Sequence, residues 1–294
     1  MHYILCQPAI QRFKWELEVC LTNLIDSNHV KPADIILLFT SHNNKIPQFF
    51  ADKYGVEVHV YRDERGDKQY IPSVKPYLWW KFLEEDSSRQ YETYFYMDSD
   101  VIFREKPNIS KLPAKPNCWV ASNCNGYLNL DYIRSRKNGE KLLHKMAYLI
   151  GVTVSSLETI NGNSGGAQWF IVQPTIEYWE KVYKDCTPLY SLLQQADSNI
   201  QAWTAEMWAQ LWNLMYFNIG VLVDHELDFC MATDDVKKYK ETKILHNAGV
   251  VKSDSDHLFF KGQYVRKTPF KTDLSFVDEH RCSAKYVHAI NQVK

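Results

Sequence analysis

The stretch YETYFYMDSDVIF, residues 91–103, decides how this chain is read. Its first half is apolar and aromatic, the pattern of a strand covered on both faces. Asp98 and Asp100 then flank Ser99, and apolar residues resume at once with Val101. Carboxylates at the end of a buried strand are costly unless something holds them. Residues two apart on a regular strand share a face, and a turn at the strand end can aim both at one point. Two oxygen ligands so placed suit a hard cation, Mg²⁺ or Mn²⁺, that also grips a diphosphate. The same spacing arises by chance in many chains of this length, so the reading needs support from elsewhere in the sequence.

Upstream, short apolar runs alternate with helical patterns. HYILC (2–6) and the β-branched run ADIILLFT (33–40) read as strands, and VEVHVY (56–61) alternates as one. KWELEVCLTNLI (14–25), KIPQFFADKYG (45–55) and KPYLWWKFLEED (75–86) read as helices, the second stopped by Gly55. This βαβαβαβ succession predicts a mostly parallel central sheet flanked by helices, with the aspartates where the fourth strand ends. Ligands of such sheets bind at the carboxyl ends of the strands.

Downstream the order is less regular. CWVASN (118–123) and AQWFIV (167–172) read as strands, and residues 175–186 and 204–217 as helices. VLVDHELDF (221–229) and KILHNAG (243–249) read as strands again. With no repeat, low-complexity tract or Pro/Gly/Ser linker, the expectation is one α/β domain over 1–294 with an irregular C-terminal part. The end of the aspartate-bearing stretch would divide it into residues 1–103 and 104–294.

Composition narrows the class. The chain has 294 residues, 34 basic and 35 acidic side chains, so no global charge drives it to nucleic acid or membrane. Its seven cysteines form an odd set without a CxxC pair, which favours free thiols in a reducing cytosol over a zinc ribbon or disulfide framework. The N-terminus has no signal-peptide pattern and no window approaches a membrane span, so a soluble cytoplasmic protein is expected.

A second motif lies far from the aspartates. HNAGVVK places His246, Gly249 and Lys252 as H-x-x-G-x-x-K after an apolar run. Histidine accepts Mn²⁺, glycine permits close backbone approach, and lysine neutralises a phosphate. A lone histidine after a strand is more often structural than a ligand, and the aspartates reverse that preference.

Together, Asp98-Ser99-Asp100 and His246-x-x-Gly249-x-x-Lys252 resemble the metal-dependent nucleotide-sugar glycosyltransferases of the GT-A (Rossmann-like) fold. The late motif is similar to that of retaining members, the glycogenin-like and lipopolysaccharide galactosyltransferase group, where proline and tryptophan follow the lysine; here Ser253 and Asp254 follow. Three further segments resemble the hydroxyproline arabinosyltransferases and peptidyl-serine galactosyltransferases: YIPSVKP (70–76), with Val74 in place of asparagine, SGGAQWFIV (164–172) and WTAEMWA (203–209).

The resemblance implies that residues 1–103 form the nucleotide-binding half and 104–294 the sugar- and acceptor-binding half, and that Asp98, Asp100 and His246 hold one Mn²⁺ or Mg²⁺ against the diphosphate of a UDP-sugar, with Lys252 adding positive charge. If Asp98 is the more distant acid and touches the ribose instead, Asp100 matters more to the metal. Lys75, ahead of a helix whose first turn holds Pro76, is a donor-site candidate. Ser99 and Tyr70, the latter by stacking near the base, are others. In NGNSGGAQW (161–169), Gly165 and Gly166 allow close backbone approach, while Asn163, Ser164 and Gln168 offer hydrogen bonds to sugar hydroxyls. Glu206, set among aromatic residues, is placed to orient the acceptor hydroxyl or to stabilise an oxocarbenium-like sugar. Glu206 and Gln168 are the catalytic candidates.

The acceptor is open. Arg134, Arg136, Lys137, Lys141, His144 and Lys145 form a basic cluster that suits either a solvated helix or a phosphate backbone, and so a hydroxymethylated base of phage DNA. A protein or surface-polysaccharide hydroxyl fits the same facts, for hexose or pentose. Outside catalysis stands a GT-A-like module that binds nucleotide sugar without transferring it. A metal phosphohydrolase would need more His and Asp ligands than this chain assembles.

Overall fold

The computed structural model describes residues 1–294. Four strands, β1 (His2–Pro8), β2 (Ile35–Thr40), β3 (Glu57–Tyr61) and β4 (Thr93–Tyr96), pair in parallel in the order β3-β2-β1-β4. Helices α1 (Gln11–Thr22), α2 (Lys45–Tyr54) and α3 (Val74–Glu85) connect them. All six residues of β2 are buried, as its unbroken apolar run requires of a strand covered on both faces. Gly55 ends α2 in the left-handed region, at φ 65°, where a side chain would be strained.

Residues 91–103 are not one strand. β4 stops at Tyr96, the chain turns at Ser99-Asp100, and β5 (Val101–Phe103) leaves for a second sheet. The turn follows the hydrogen bond from the Met97 N–H to the Ile4 carbonyl, the last in the pairing of β4 with β1, which itself runs on to Pro8. Buried aromatic residues precede the turn and buried aliphatic ones follow it, which hides the break from a reading of apolarity alone.

β6 (Cys118–Asn123), β7 (Gly165–Val172) and β8 (Gly220–Val223) extend the first sheet to seven strands in the order β3-β2-β1-β4-β7-β6-β8. β7 runs antiparallel to both neighbours, and the other pairs are parallel. The segment expected as one strand over 221–229 divides into β8, a turn at His225–Leu227 capped by Asp224, and β9 (Phe229–Met231). β9 and β10 (Ile244–His246) complete the small sheet, ordered β5-β10-β9.

Between β6 and β7 run the short helices α4 (Asn125–Leu128), α5 (Leu130–Arg134) and α7 (Val154–Glu158), with the longer α6 (Gly139–Ile150) among them. α8 (Ile176–Gln195) runs nine residues past the expected end at 186 because its buried stripe, Tyr178, Trp179, Val182, Cys186, Leu189 and Leu193, keeps helical spacing through Pro188. It packs on α9 (Ala205–Tyr216) and α3, with the Trp79 and Trp179 rings stacked at 4.8 Å. α10 (Val236–Glu241) and α11 (Ser283–Gln292) follow in a loop-rich C-terminal part. No helix is long and apolar enough to cross a membrane.

Candidate active site

The small sheet builds the site. β10 pairs antiparallel with β5 so that His246 lies opposite Val101, one residue from Asp100. The Asn247 N–H donates to the Asp100 carbonyl, extending that pairing past the strand end. Asp98 arrives from the loop after β4. The result is an Asp98–Asp100–His246 cluster whose ligand atoms all lie within 4.8 Å of one another. His246 Nε2 is 3.3 Å from Asp100 Oδ1 and 3.7 Å from Asp98 Oδ2. Adjacent ligands of a small divalent cation, with bonds near ~2.1 Å, sit about 3 Å apart, so two carboxylates and one imidazole fit such an ion with slight closure.

Cations surround the carboxylates. Lys75, at the start of α3, has Nζ 3.2 Å from Asp98 Oδ1 and 3.1 Å from Glu206 Oε2. Lys261 pairs with Asp100 Oδ2. Burial opposes ionisation of Asp100, but Lys261 and His246 outweigh it and hold the carboxyl well below the usual carboxylate range. Burial likewise opposes the charge on Lys75, and Asp98 and Glu206 reverse it, so Lys75 is held firmly protonated. For Glu206, burial prevails over Lys75 and lifts its pKa.

A third layer comes from α1. Ser99 Oγ donates to Glu16 Oε2 at 2.9 Å, and Arg12 Nε donates to Glu16 Oε1 at 2.9 Å. Glu16 is raised chiefly by burial and by Asp100, against Lys261 and Arg12. These groups, with Gly249 at φ 89°, line one cavity of about 500 Å³. That size is within the range of small-molecule sites.

Lys261, Arg12 and Glu16 were not legible as site residues. Lys261 lies in the turn Lys261–Tyr264, far from any strand end, and carries no motif. Arg12 and Glu16 had one signal, since α1 opens just beyond the carboxyl end of β1, where ligands of such sheets bind.

Several expected residues lie elsewhere. Lys252 is exposed and away from the cavity lining, so Lys261 stands where Lys252 was expected. Tyr70 does not face the cavity: its ring stacks on Tyr190 at 4.0 Å, and its hydroxyl donates to the Trp203 carbonyl and accepts from the Glu206 N–H. Asn163 accepts from the Val223 N–H at the end of β8. Gly165 and Gly166 are needed for packing within the sheet. A Cβ on Gly165 would meet Ala121 Cβ at 2.6 Å, and one on Gly166 would meet Leu128 Cδ1 at 2.8 Å.

Glu206 and Gln168 stand behind the lining. Glu206 reaches the cavity through Lys75. Gln168 accepts from Ser122 Oγ at 2.7 Å and sets its amide 3.4 Å from His246 Nδ1. A residue on the second ring nitrogen of a histidine fixes the orientation of the first. A β-bulge aims Gln168 there: pairing with β6 jumps from Ala121–Trp169 to Ser122–Gly166, leaving Ala167 and Gln168 outside the ladder. Ala167 takes φ 56° in that bulge, a left-handed conformation that disfavours a side chain.

The basic cluster is neutralised only in part on its own surface, since Arg136, Lys141 and Lys145 pair with no acid. Arg134 pairs with Asp131, Glu140 and Glu158, and Lys137 pairs with Asp197. Arg136 lies over the Tyr132 ring, 4.3 Å from its centroid.

No family model and no curated protein matches the sequence. Among solved structures, the chain is similar to the galactosyltransferase LgtC in complex with donor and acceptor sugar analogues. That likeness has a TM-score of 0.51 and 13% identity, and covers 100% of this chain and 96% of that one. A structure of an LgtC active-site mutant gives a TM-score of 0.50 at 11% identity, over 98% of this chain and 95% of that one. The shared architecture is the GT-A fold, a mixed α/β sheet of seven mostly parallel strands flanked by helices.

Proposed function

We propose that the protein is a metal-dependent glycosyltransferase that moves a sugar from a UDP-sugar to an acceptor hydroxyl, with retention of anomeric configuration. The observation that carries this reading is the convergence of Asp98 and Asp100, from one turn, and His246, from a strand far along the chain, on one cation-lined cavity in a GT-A fold. The proposed holder of Mn²⁺ or Mg²⁺ is this trio, with Gln168 orienting His246 through its second ring nitrogen.

A bound divalent cation would supply Lewis-acid stabilisation of the negative charge that develops on the diphosphate. This chain's own residues divide the remaining tasks. Lys75 and Lys261 place fixed positive charge beside the aspartates, where a diphosphate would lie. Glu206 keeps Lys75 in place and charged, so its part is positioning through Lys75. Gly249 leaves room for close approach at the cavity wall, while Ser99 and Glu16 hold the turn that carries Asp100. The division into a nucleotide-binding half, 1–103, and a sugar- and acceptor-binding half, 104–294, agrees with a cavity that draws its lining from both. The seven free cysteines favour a reducing, cytoplasmic setting.

None of the basic cluster lines the cavity, and Arg134 and Lys137 within it are already ion-paired, which favours a sugar or protein hydroxyl over modified DNA. The test is nucleotide release from a panel of nucleotide sugars with Mn²⁺, comparing the wild-type protein with Asp100→Ala. Metal-dependent release that falls about 10²–10³-fold in the variant is expected. Tight donor binding without release would leave only a nucleotide-sugar-binding module, and release of phosphate from simple esters would overturn both. NMR of the product's anomeric centre checks retention.

A further inference from the structure

Seven of the nine tryptophans are buried almost completely, in the packing of the sheet and helices. Trp203 is the opposite case. It is 58% exposed and lines the cavity that holds the aspartates. A large aromatic face left in water at the mouth of a site is the kind of surface that a ligand covers.

The backbone that carries it is tied down. Trp203 sits in the turn Ala202–Thr204, directly ahead of α9. The Tyr70 hydroxyl donates to its carbonyl at 2.7 Å and accepts from the Glu206 N–H at 2.8 Å. Tyr70 thus ties the indole backbone to the start of α9 and, through Glu206 and Lys75, to Asp98. Ile71, 42% exposed, and Pro72 follow Tyr70 in the turn ahead of α3 and line the same cavity. Gln201 and Met207 complete that end. The lining therefore runs from charged groups at the aspartates to an exposed aromatic ring with an amide beside it.

The chemistry of that end selects an occupant. A pyranose ring presents one face of C–H groups and an edge of hydroxyls. An indole plane takes the first and a glutamine amide the second. A nucleobase would also stack on Trp203, but its strand needs cations along the rim. The cavity's cations are engaged: Arg12 with Glu16, Lys75 with Asp98 and Glu206, and Lys261 with Asp100. We infer that the acceptor is a carbohydrate whose ring lies on Trp203, with its reacting hydroxyl directed along the cavity toward the aspartates. This rests on the transferase reading above, and Trp203 deepens it by naming the acceptor class.

The experiment has two arms. In the first, the protein with UDP and Mn²⁺ is titrated with lactose, maltose and the methyl pyranosides of glucose and galactose, and the long-wavelength emission of exposed tryptophan is followed. Saturable quenching is expected in the wild-type protein, and calorimetry should show sugar binding lost in Trp203→Ala and partly kept in the stacking-competent Trp203→Phe. No binding by any of these sugars, or binding unaffected by Trp203→Ala, overturns the inference even if nucleotide release is normal. In the second arm, turnover is measured with the best sugar, a hydroxyl-bearing peptide and an oligonucleotide carrying hydroxymethylcytosine. The acceptor KM should rise about tenfold in Trp203→Ala, more than any change in the donor KM, which is the loss of about 1.4 kcal/mol of acceptor binding. Peptide or oligonucleotide saturating in preference to every sugar also overturns it. If sugars bind at Trp203 but no nucleotide is ever released, the platform stands and the transferase reading fails.

Discussion

The two sheets were built by different means, and the site lies on their seam. The seven-stranded sheet belongs to a core of 64 buried residues, and its first four strands are separate apolar runs, each followed by its own helix or turn. The small sheet has three strands of three residues each, drawn from positions 101–103, 229–231 and 244–246. Its interior is a cluster of 13 buried residues shared with α1, α11 and the C-terminal loops. No segment that short is a stable strand alone. It exists because tertiary packing brings the three together. Asp98 follows the large sheet directly, whereas Asp100, His246 and Lys261 depend on the small one. Two of the three residues proposed to hold the metal thus rest on the less extensive core.

The sharpest way to break this comparison is Leu245→Ala. Leu245 is fully buried in the small cluster, opposite Ile102 and beside His246. Truncation there costs about 2–5 kcal/mol. The loss should fall on the small sheet, so Mn²⁺-dependent nucleotide release should fail at a urea concentration where the tryptophan signal of the large core is still native. A single transition with both signals lost together would show that the sheets form one cooperative unit.

A smaller effect separates two lysines. Lys261 is anchored beside the aspartates because Tyr264 and Phe259, its near neighbours in sequence, pack around Trp15, whose Nε1 donates to the Tyr264 carbonyl at 2.9 Å. Lys252 lies outside, on the surface. A charge-assisted contact to a diphosphate is worth about 1.5–3 kcal/mol. Lys261→Ala should therefore raise the donor KM about 10–100-fold, and Lys252→Ala should leave it within about twofold. Equal effects, or a larger one at Lys252, would return the role to the motif lysine.

The contrast also explains what was legible beforehand. Strand and helix order through residue 86 follows from apolar runs and stop signals that act locally, and Gly55 ends α2 as read. The Asp98–Asp100–His246 set was legible because each residue sits at a strand end, where chemistry and position coincide. Lys75 was legible from Pro76 and the helix start. The end of the fourth strand at the aspartates was legible too, but not the second sheet beyond it, since nothing local distinguishes Val101 as a strand of another sheet. Lys261 was missed for the same reason: its place is decided by packing around Trp15, and a spacing rule pointed to Lys252. Gly165 and Gly166 looked like a ligand loop because glycine serves close approach to a ligand and close approach to a neighbouring side chain alike. Only the positions of Ala121 and Leu128 distinguish the two uses.

The smallest predicted effect tests how the large sheet contributes to a site that the small one mostly builds. Gln168 reaches His246 only because the bulge in β7 takes two residues out of the ladder with β6, and Ala167 bears the left-handed conformation that this demands. A residue with a Cβ in that region costs roughly 1–2 kcal/mol, which glycine avoids, less what glycine's freer unfolded chain takes back. Ala167→Gly should therefore raise stability by up to about 1 kcal/mol with Mn²⁺ affinity unchanged, while Ala167→Val, β-branched at the same backbone, should lower both. Denaturant midpoints and Mn²⁺ titrations of the two variants separate strain from ligation. If glycine destabilises and valine is tolerated, the bulge is not under strain, and Gln168 is held in place by Ser122 instead.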